Sequence, residues 1–367
     1  MQGSQQVQDI WRAGVAAVDG YRATLEATQS LERPDQILAV GKAAGSMARA
    51  AAERFGTVPT LVVTKDGHGN NLPEHVFVIE ASHPVPDARS LVGGQALRET
   101  VENMKHDSNL LLLVSGGASS LAEDLVPGKT LDDLEALNQR LLGEGLDIGA
   151  MNAERRNFSR IKGGGLLSRF PGEKLTVLAI SDVPGDDLGV IGSGIGSLPD
   201  KPSFAAHASI IASNAHARNA ASMAAEQAGF NVLANEEAMH DDYLLVAARL
   251  GERLRQMPKG AMVFGGEPTV VLPDAPGRGG RNQALALALA REIAGQSDLC
   301  VIVGGTDGTD GPTDAAGAIV TGETWSEEAQ KYLNNADSGT FLDKAGALLT
   351  TGPTGTNVMD LVIAIRS

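Results

Sequence analysis

Short apolar runs alternate with amphipathic segments along the first two thirds of the 367-residue chain. The runs Asn109–Val114 and Leu175–Ile180 are apolar at nearly every position, which is typical of strands buried on both faces of a sheet. Between such runs, Ala43–Phe55 and Ser90–Met104 place apolar residues at helical spacing. Because strands that alternate with helices need crossover connections, the pattern predicts an α/β fold with a largely parallel sheet.

The pattern changes near Asn235, where a polar and acidic stretch leads into an amphipathic helix predicted at Tyr243–Gln256. A chain of this length also favours two domains. We therefore predict one domain over residues 1–240 and a second over residues 241–367, and leave open whether the first ~35 residues pack on the second. Two further elements are predicted: a helix over Met151–Phe170 with a break at Gly163–Gly165, and a strand over Thr269–Leu272.

Composition removes several classes of protein from consideration. The formal net charge is −15 and aromatic residues make up 4% of the chain, so it offers neither a bulk positive field nor a stacking platform for nucleic acid. The N-terminus lacks the basic and apolar regions of a signal peptide, and no apolar run reaches the ~20 residues of a membrane span. The single cysteine, Cys300, fits a reducing compartment. We expect a cytoplasmic protein without nucleic-acid or membrane partners, in which local basic clusters meet anionic ligands.

Loops rich in glycine and small polar residues follow several of the predicted strands. In Gly41–Met47, Lys42 stands between a strand and the start of a helix, where its charge and the backbone N–H groups suit a phosphate or a developing phosphoryl charge. In Ser115–Ser120, two glycines let a ligand approach the backbone and the serines can donate to phosphate oxygens. A surface lysine and a helix-capping turn are the alternative interpretations. A third polar loop, Thr351–Asn357, also follows an apolar run.

Basic residues cluster at two places in this acidic chain. Four of them precede a run of three glycines: Arg155, Arg156, Arg160 and Lys162. At helical spacing, Arg156 and Arg160 could face one cleft and bind a carboxylate or phosphate. Arg281 and Asn282 lie in the glycine-rich stretch Gly277–Gln283, at the start of a predicted helix where anion capture has a clear physical basis. A solvated helix face and a basic surface loop are the alternatives.

Carboxylates collect after two predicted strands, where they suit a hard cation such as Mg²⁺. Asp182 follows the strand Leu175–Ile180, and Asp186 comes shortly after it in a turn-forming sequence. Three more carboxylates occupy the segment 304–317, which reads GGTDGTDGPTDAAG: Asp307, Asp310 and Asp314. Asp307 is nearest the strand end and is the best ligand candidate of the three, while Asp310 and Asp314 are expected to shape and cap the loop. Acidic surface turns are the alternative.

Taken in order, these motifs resemble those of the class II glycerate kinases, the family with a MOFRL-type C-terminal domain. The resemblance runs over nearly the whole chain and is carried by VGKAAGSM, SHPVPD, SGGASS, MNAERRNFSRIKGGG, SDVPGDD, GGEPTV, GRGGRNQ, GGTDGTDGPTDAAGA and TGPTGTNV. It implies two α/β domains with largely parallel or mixed sheets, a Rossmann-like N-terminal domain and an active site in the inter-domain cleft. It also implies phosphorylation of D-glycerate with ATP and Mg²⁺, giving 2-phosphoglycerate and ADP.

The resemblance, together with the residue patterns, gives each candidate a role. The essential lysine of the family falls on Lys42 and its catalytic arginine on Arg281. The nucleotide phosphates are assigned to two loops: Ser115, Gly116, Gly117, Ser119, Gly163, Gly164 and Gly165. The hydroxy acid is assigned to four residues: Arg156, Arg160, Asn282 and Thr354. The magnesium ion is assigned to three carboxylates: Asp182, Asp186 and Asp307.

Two other functions stay open at this stage. One is an NAD(P)H-dependent hydroxypyruvate reductase, although no GxGxxG run follows a first strand with an acid roughly 20 residues later. The other is a non-catalytic protein that binds a nucleotide or a sugar acid, since loops of glycine and hydroxyl residues would permit it. In each case the expected partner is a small molecule, and a homodimer is left open.

Overall fold

The computed structural model describes residues 2–143 and 154–367 of the chain. Its strands are β1 (Gln36–Val40), β2 (Thr60–Lys65), β3 (Val76–Ala81), β4 (Asn109–Val114), β5 (Lys174–Ile180), β6 (Ala205–Ala212), β7 (Val232–Glu237), β8 (Gly260–Gly266), β9 (Leu299–Gly305), β10 (Gly317–Thr321), β11 (Leu348–Leu349) and β12 (Asp360–Arg366). Its α-helices are α1 (Gln2–Ala17), α2 (Gly20–Ala27), α3 (Ala44–Phe55), α4 (Ala88–Glu102), α5 (Ala118–Leu121), α6 (Leu131–Gly143), α7 (Asn214–Gln227), α8 (Tyr243–Gln256), α9 (Arg281–Glu292), α10 (Ala329–Asn334) and α11 (Ser338–Lys344). None of the helices in these two described ranges has both the length and the apolar character that a membrane crossing requires.

The chain divides into two compact units, which we call the parallel-sheet unit (Gly20–Ser213) and the mixed-sheet unit (Met1–Asp19 with Asn214–Ser367). In the parallel-sheet unit the strand order is β3-β2-β1-β4-β5-β6, and the neighbouring strands pair in parallel. The strand order reverses between β1 and β4, which pair with Val40 opposite Val114. Residues such as Leu38 and Leu112 are fully buried, as expected for parallel strands.

The mixed-sheet unit has the strand order β11-β10-β9-β12-β8-β7. Its β7 and β8 pair in parallel, whereas the other neighbouring strands pair antiparallel. Helix α9 is buried along its first nine residues after Arg281, because its sequence is apolar on nearly every side. Helix α1 packs on α7, β9 and β12, and the indole N–H of Trp11 donates to the carbonyl of Gly304 at 3.4 Å. The two sheets confirm the predicted α/β fold class.

The division between the units falls earlier in the chain than the predicted boundary at residue 240. Strand β7 precedes that boundary, yet it pairs with β8. Asn214, at the start of α7, donates from its side chain to the carbonyls of Val358 and Asp360. Residues 214–240 therefore pack with the C-terminal part of the chain. The N-terminal segment is itself divided, because α1 belongs to the mixed-sheet unit and α2 to the parallel-sheet unit.

The helix predicted over Met151–Phe170 differs in the structure. Its first residues, 151–153, lie outside the described residues. From residue 157 onward the segment is a series of turns that closes with a 3₁₀ turn at Leu167–Arg169. Gly163 and Gly164 have φ angles of 58° and 82°, in the left-handed region that interrupts a right-handed helix. The helix prediction is therefore wrong for this stretch.

The strand predicted at Thr269–Leu272 is wrong as well. Thr269 forms a single bridge with Asp242, and no strand is present at these positions of the described chain. Val271 is 86% exposed. The apolar run before Pro273 therefore lies on a loop, where it packs against no second strand.

Candidate active site

Three loops lie at the carboxyl edge of the parallel sheet, after β1, β4 and β5. The loop after β1 carries Lys42, whose backbone N–H donates to the carbonyl of Gly116 at 2.9 Å. In the same direction, the backbone N–H of Ala43 donates to Ser115 Oγ at 3.0 Å. Asp182 follows the end of β5, the neighbour of β4. Because strand pairing fixes the three strand ends, Lys42, the loop after β4 and Asp182 are held at one edge of the sheet.

Positions 116 and 117 of this loop are crowded by neighbouring side chains, so any residue larger than glycine would displace those side chains. A Cβ atom at Gly116 would overlap the carboxylate of Asp182. At Gly117, which has a φ of 80°, a Cβ atom would lie 3.1 Å from both Lys42 Cγ and His83 Cδ2. The result is a stretch of bare backbone bordered by the side chains of Lys42, His83 and Asp182.

Gly41→Ala is expected to destabilise the protein by about 3 kcal/mol or more. Gly41 has a φ of 122°, and a Cβ atom there would overlap the hydroxyl and the carbonyl of Ser115. Gly229→Ala is the matched control, because Gly229, which follows helix α7, also has a positive φ, 90°, but a Cβ atom there would meet no described atom within 4 Å. The control is expected to lose about 1–2 kcal/mol. Urea unfolding measures both, and equal losses would contradict the close packing of Gly41 against Ser115.

A cavity of about 590 Å³ opens beside the loop after β4, a size that suits a small-molecule ligand. One part of its wall is polar and includes Ser119, Lys162 and Asp182, and another part is apolar and includes Pro84 and Leu134. The cavity therefore offers both hydrogen-bonding groups and an apolar surface to one ligand.

The backbone amides of Gly163–Gly165 already have acceptors within the protein. The N–H of Gly163 donates to the carbonyl of Ser193, and that of Gly164 to the carbonyl of Gly194, both at 2.9 Å. The N–H of Gly165 donates to the carbonyl of Lys162 at 3.0 Å. This differs from the expectation that these amides hold nucleotide phosphates, because bonds to a second 3₁₀ turn, Ile191–Gly194, occupy two of them. The loop instead supports the side chains around it.

Arg156 and Arg160 do not share a helical face in the structure. The Arg156 guanidinium is exposed and donates to the carbonyl of Gly189 at 3.1 Å, and its stem passes close to Gly163. Arg160 lies 3.5 Å from Asp124. Turns in this segment separate the two residues, so their helical spacing in the sequence was not a guide to their position. Arg156 is the more accessible of the two for a substrate carboxylate.

Three residues at the cavity were not assigned a site role from the sequence: His83, Arg155 and Lys162. Arg155 is half-buried, and burial lowers the pKa of its guanidinium. Lys162 is almost fully buried, whereas a helical interpretation placed it on a solvated face. One feature of the sequence could have indicated that Lys162 does not lie on a helix. It comes directly before three glycines, and the segment has no helical periodicity once these glycines are taken as a break.

The candidate metal ligands of the parallel-sheet unit are half-buried. Asp182 follows β5, and Asp186 lies in a 3₁₀ turn, Pro184–Asp186, with a φ of 54°. Within residues 2–143 and 154–367, no three His, Cys, Asp or Glu side chains lie close enough together to hold a metal ion by themselves. Asp182 is therefore positioned by the end of its strand and by its contact with Gly116. It belongs to no such group of three side chains in the described part of the chain.

In the mixed-sheet unit, Arg281 begins α9 and is held by two carboxylates. Its Nε donates to Asp360 Oδ2 at 2.7 Å, and its Nη1 lies 2.6 Å from Glu267 Oε1. Asn282 Nδ2 donates to Asp360 Oδ1 at 2.9 Å. Burial disfavours the charge of Arg281, but attraction to Asp360 and Glu267 outweighs it and raises the pKa of the guanidinium. Arg281, Asn282 and the buried Asp360 thus form one network at the start of the helix.

Asp307 and Thr354 lie on two loops of the mixed-sheet unit that support each other. Asp307 Oδ1 accepts hydrogen bonds from the backbone N–H and the hydroxyl of Thr309, at 3.0 and 3.1 Å. The backbone N–H of Thr354 donates to the carbonyl of Asp307 at 3.3 Å, and its hydroxyl donates to the carbonyl of Thr306. The two loops therefore keep Asp307 and Thr354 close together.

Asp310 caps helix α9. Its Oδ1 accepts from the backbone N–H of Asn282 at 3.0 Å, and its Oδ2 accepts from the backbone N–H and the side-chain amide of Gln283, at 2.8 and 3.0 Å. Such a cap satisfies N–H groups that have no partner within the helix. Burial raises the pKa of Asp310 to about 6, with a further contribution from the charge of Asp360, and the N–H bonds offset only part of this rise. The cap agrees with the expected structural role of Asp310.

When the pH is lowered from 8 to 4, the free energy of unfolding of the wild type is expected to rise by about 2 kcal/mol relative to that of Asp310→Asn. The pKa of Asp310 is about 6 when folded and about 3.9 in an unfolded chain, so the folded state binds the proton more tightly. This contribution is fully present below pH 4 and is lost as the pH rises through 6. Asparagine does not titrate, so the difference between the two proteins in urea unfolding isolates Asp310. A difference that stays constant from pH 4 to pH 8 would contradict the raised pKa.

The strand order of the parallel-sheet unit and the polar loops at its point of reversal define a doubly wound α/β protein, a class that binds ligands at this place. The model of a domain of unknown function, DUF4147, matches residues 6–229, and that of the MOFRL family matches residues 260–360. The chain is 35% identical to the D-glycerate 2-kinase of Thermotoga maritima, over 97% of both chains. It is 33% identical to the glycerate 2-kinase of Pyrococcus horikoshii, over 96% of this chain and 94% of that one.

A solved structure gives the same result at the level of the fold. The crystal structure of glycerate kinase from Thermotoga maritima superposes with a TM-score of 0.89 at 33% identity, and the match covers 99% of both chains. The chain belongs to the class II glycerate kinase family, with a MOFRL domain at its C-terminal end. The family resemblance of the sequence motifs is thereby confirmed.

Proposed function

We propose that this protein transfers the γ-phosphoryl group of ATP to the 2-hydroxyl of D-glycerate, giving 2-phosphoglycerate and ADP. The observation that carries the proposal is the convergence of Lys42, the Gly116–Gly117 backbone and Asp182 at the carboxyl edge of the parallel sheet. Ligands of open α/β sheets bind at this edge, where the strand order reverses. The similarity to the D-glycerate 2-kinase of Thermotoga maritima supports glycerate as the acceptor.

Phosphoryl transfer depends on positioning and on neutralising the charge of the transferring group. Lys42 stands just before helix α3, where its ammonium adds to the positive end of the helix dipole. We assign it to the transferring phosphoryl group. The Gly116–Gly117 backbone and the Ser115 and Ser119 positions of the same loop are assigned to the nucleotide phosphates, since the glycines let phosphate oxygens approach closely.

Arg281 is assigned to the negative charge that develops during transfer. Its bonds to Asp360 and Glu267 fix the guanidinium in advance, so little reorganisation is needed during the reaction. Asn282, next to it, and Thr354 are assigned to the hydroxy acid. Arg156 is assigned to the substrate carboxylate, because its guanidinium is more exposed than that of Arg160, which lies against Asp124.

The residues of this chain fit a magnesium ion that is held mainly through the nucleotide, as is common at nucleotide sites. Carboxylates such as Asp182, Asp186 and Asp307 are suitable oxygen ligands, and Mg²⁺ is usually held by one or two of them together with phosphate oxygens and water. When bound, the ion would neutralise phosphate charge, and Asp182 is the first candidate to hold it, because it lies beside the proposed phosphate loop.

A coupled assay of ADP release with D-glycerate and Mg-ATP tests the proposed function. We expect ADP release that depends on both substrates, with a product that ³¹P NMR identifies as 2-phosphoglycerate. A 3-phosphoglycerate product would correct the position of transfer. No ADP release with a panel of hydroxy acids would overturn the kinase proposal, and loss of NADH absorbance with hydroxypyruvate would favour the reductase instead.

The reaction is proposed to take place in the cytoplasm. The chain has a single cysteine, Cys300, which is buried in β9 and whose pKa burial raises. A buried thiol of this kind has no role in a disulfide framework, which suits a reducing compartment.

A further inference from the structure

A buried ion pair lies at the wall of the cavity in the parallel-sheet unit. The side chain of Lys162 is 3% exposed and that of Glu123 is fully buried, and Nζ of the lysine is paired with Oε2 of the glutamate. Taking both charges out of water costs more than a typical ion pair returns, and well-packed apolar residues of similar volume are often at least as stable. Stability therefore does not explain why a lysine and a glutamate occupy these positions.

Glu123 is fixed in position by several contacts. Its backbone N–H donates to the carbonyl of Ser90 at 3.0 Å, and its Oε1 accepts from the backbone N–H of Asp124 at 3.0 Å. A Cβ atom at Gly94 would overlap the backbone of Glu123, so helix α4 lies directly against it. A carboxylate held in this way also fixes the direction of the ammonium that it binds.

Lys162 is joined to the loops around the cavity. Its neighbour Gly163 donates its backbone N–H to the carbonyl of Ser193, and Ser193 Oγ is hydrogen-bonded to Ser119 Oγ at 2.8 Å. Lys162 and Ser119 both line the cavity. In the described part of the chain, Glu123 accepts one of the three N–H groups of the ammonium. The position of Lys162 at the wall allows the ammonium to donate to a ligand as well.

We propose that Lys162 is a ligand-binding residue of this cavity, whose ammonium binds an anionic oxygen of a substrate, and that Glu123 positions it. The proposal rests on the kinase function proposed above and adds a binding residue to it. Two sources supply such an oxygen: the polyphosphate of the nucleotide and the carboxylate of the hydroxy acid. Because the buried carboxylate holds the lysine in one direction before the ligand arrives, less side-chain entropy is lost on binding.

Lys162→Met tests the proposal, because it removes the charge and keeps the length of the side chain. We expect it to raise the KM of either ATP or D-glycerate about 10- to 100-fold and to leave the other KM within about threefold. The substrate whose KM rises identifies the anion that Lys162 binds. Lys174→Met is the matched control, because Lys174 pairs with Glu32 on the surface of the same unit, and both KM values are expected to stay within about twofold.

A second variant separates ligand binding from folding. Lys162→Met leaves Glu123 buried without its partner, which lowers the stability of the protein. The double variant, Lys162→Met with Glu123→Gln, removes both charges and is expected to recover the urea midpoint without recovering the KM. Recovery of the original KM values by the double variant would overturn the proposal, since the pair would then serve the fold.

Isothermal titration of the wild type and of the double variant with ATP, D-glycerate and inorganic phosphate distinguishes this proposal from the kinase proposal. At least tenfold weaker binding of one of these probes to the folded double variant supports the role of Lys162, even where the wild type releases no ADP. Equal affinity of the two proteins for every probe, or no binding by the wild type, overturns it.

Discussion

Lys42→Met is expected to lower kcat for ADP formation by about two to three orders of magnitude while the protein stays folded. The ammonium is the group assigned to the charge of the transferring phosphoryl, and methionine supplies no charge in its place. The fold is expected to persist because the loop is held by backbone bonds that the substitution keeps, from Lys42 N–H to Gly116 and from Ala43 N–H to Ser115. Steady-state kinetics at saturating ATP and D-glycerate measure the effect.

Lys65→Met is the matched control for this experiment. Lys65 ends β2, the neighbour of β1, and so lies at the same edge of the sheet, but no role in the reaction is assigned to it. Its kcat is expected to stay within about twofold of the wild-type value. A kcat for folded Lys42→Met within tenfold of the wild type would remove Lys42 from the proposed catalytic role.

Arg281→Met is expected to abolish measurable turnover and to lower the free energy of unfolding by about 2–3 kcal/mol. Turnover is lost with the guanidinium assigned to the developing charge. Stability falls because Asp360, whose side chain is 2% exposed, loses the partner that donates to it at 2.7 Å and keeps the side-chain amide of Asn282 as a donor. The expected loss is below that of a fully buried pair, because a third of the Arg281 side chain is exposed.

Two further variants separate the two effects of Arg281. Arg278→Met removes an arginine three residues earlier that pairs with Asp343 at 3.0 Å on the surface, and it is expected to cost less than about 1 kcal/mol. The double variant, Arg281→Met with Asp360→Asn, leaves no unpaired charge at position 360 and is expected to recover much of the stability but none of the turnover. Turnover that returns in the double variant would contradict the proposed role of Arg281 in catalysis.

Much of the parallel-sheet unit could be predicted from the sequence, because its signals are local. The strand predicted at Asn109–Val114 has the bounds of β4, since four consecutive leucines followed by a serine–glycine turn leave little ambiguity. The same applies to the loop with Lys42, where glycine ends an apolar run directly. The roles of the loop residues themselves stay predictions.

The remainder depends on partners that are distant in the chain. Lys162 is buried beside Glu123, 39 residues away, and Arg281 is fixed in position by Asp360, 79 residues away. Sequence periodicity contains no information on such pairs. The packing of residues 214–240 could not be predicted for the same reason, since strand β7 is assigned to its unit by pairing with β8 and by no feature of its own residues.

Elements that pack together in the mixed-sheet unit are synthesised far apart in time. Helix α1 is made before the elements on which it packs, because α7, β9 and β12 come after residue 213 and the carbonyl that Trp11 contacts belongs to Gly304. The parallel-sheet unit is thus an insertion in a discontinuous unit. At about 5–20 residues per second, a ribosome needs about 10–40 s to make the insertion, and α1 waits for its partners during this time. A fragment that begins at Asn214 would lack α1 and leave this apolar surface uncovered, whereas joining residues 1–19 directly to residue 214 would keep it covered.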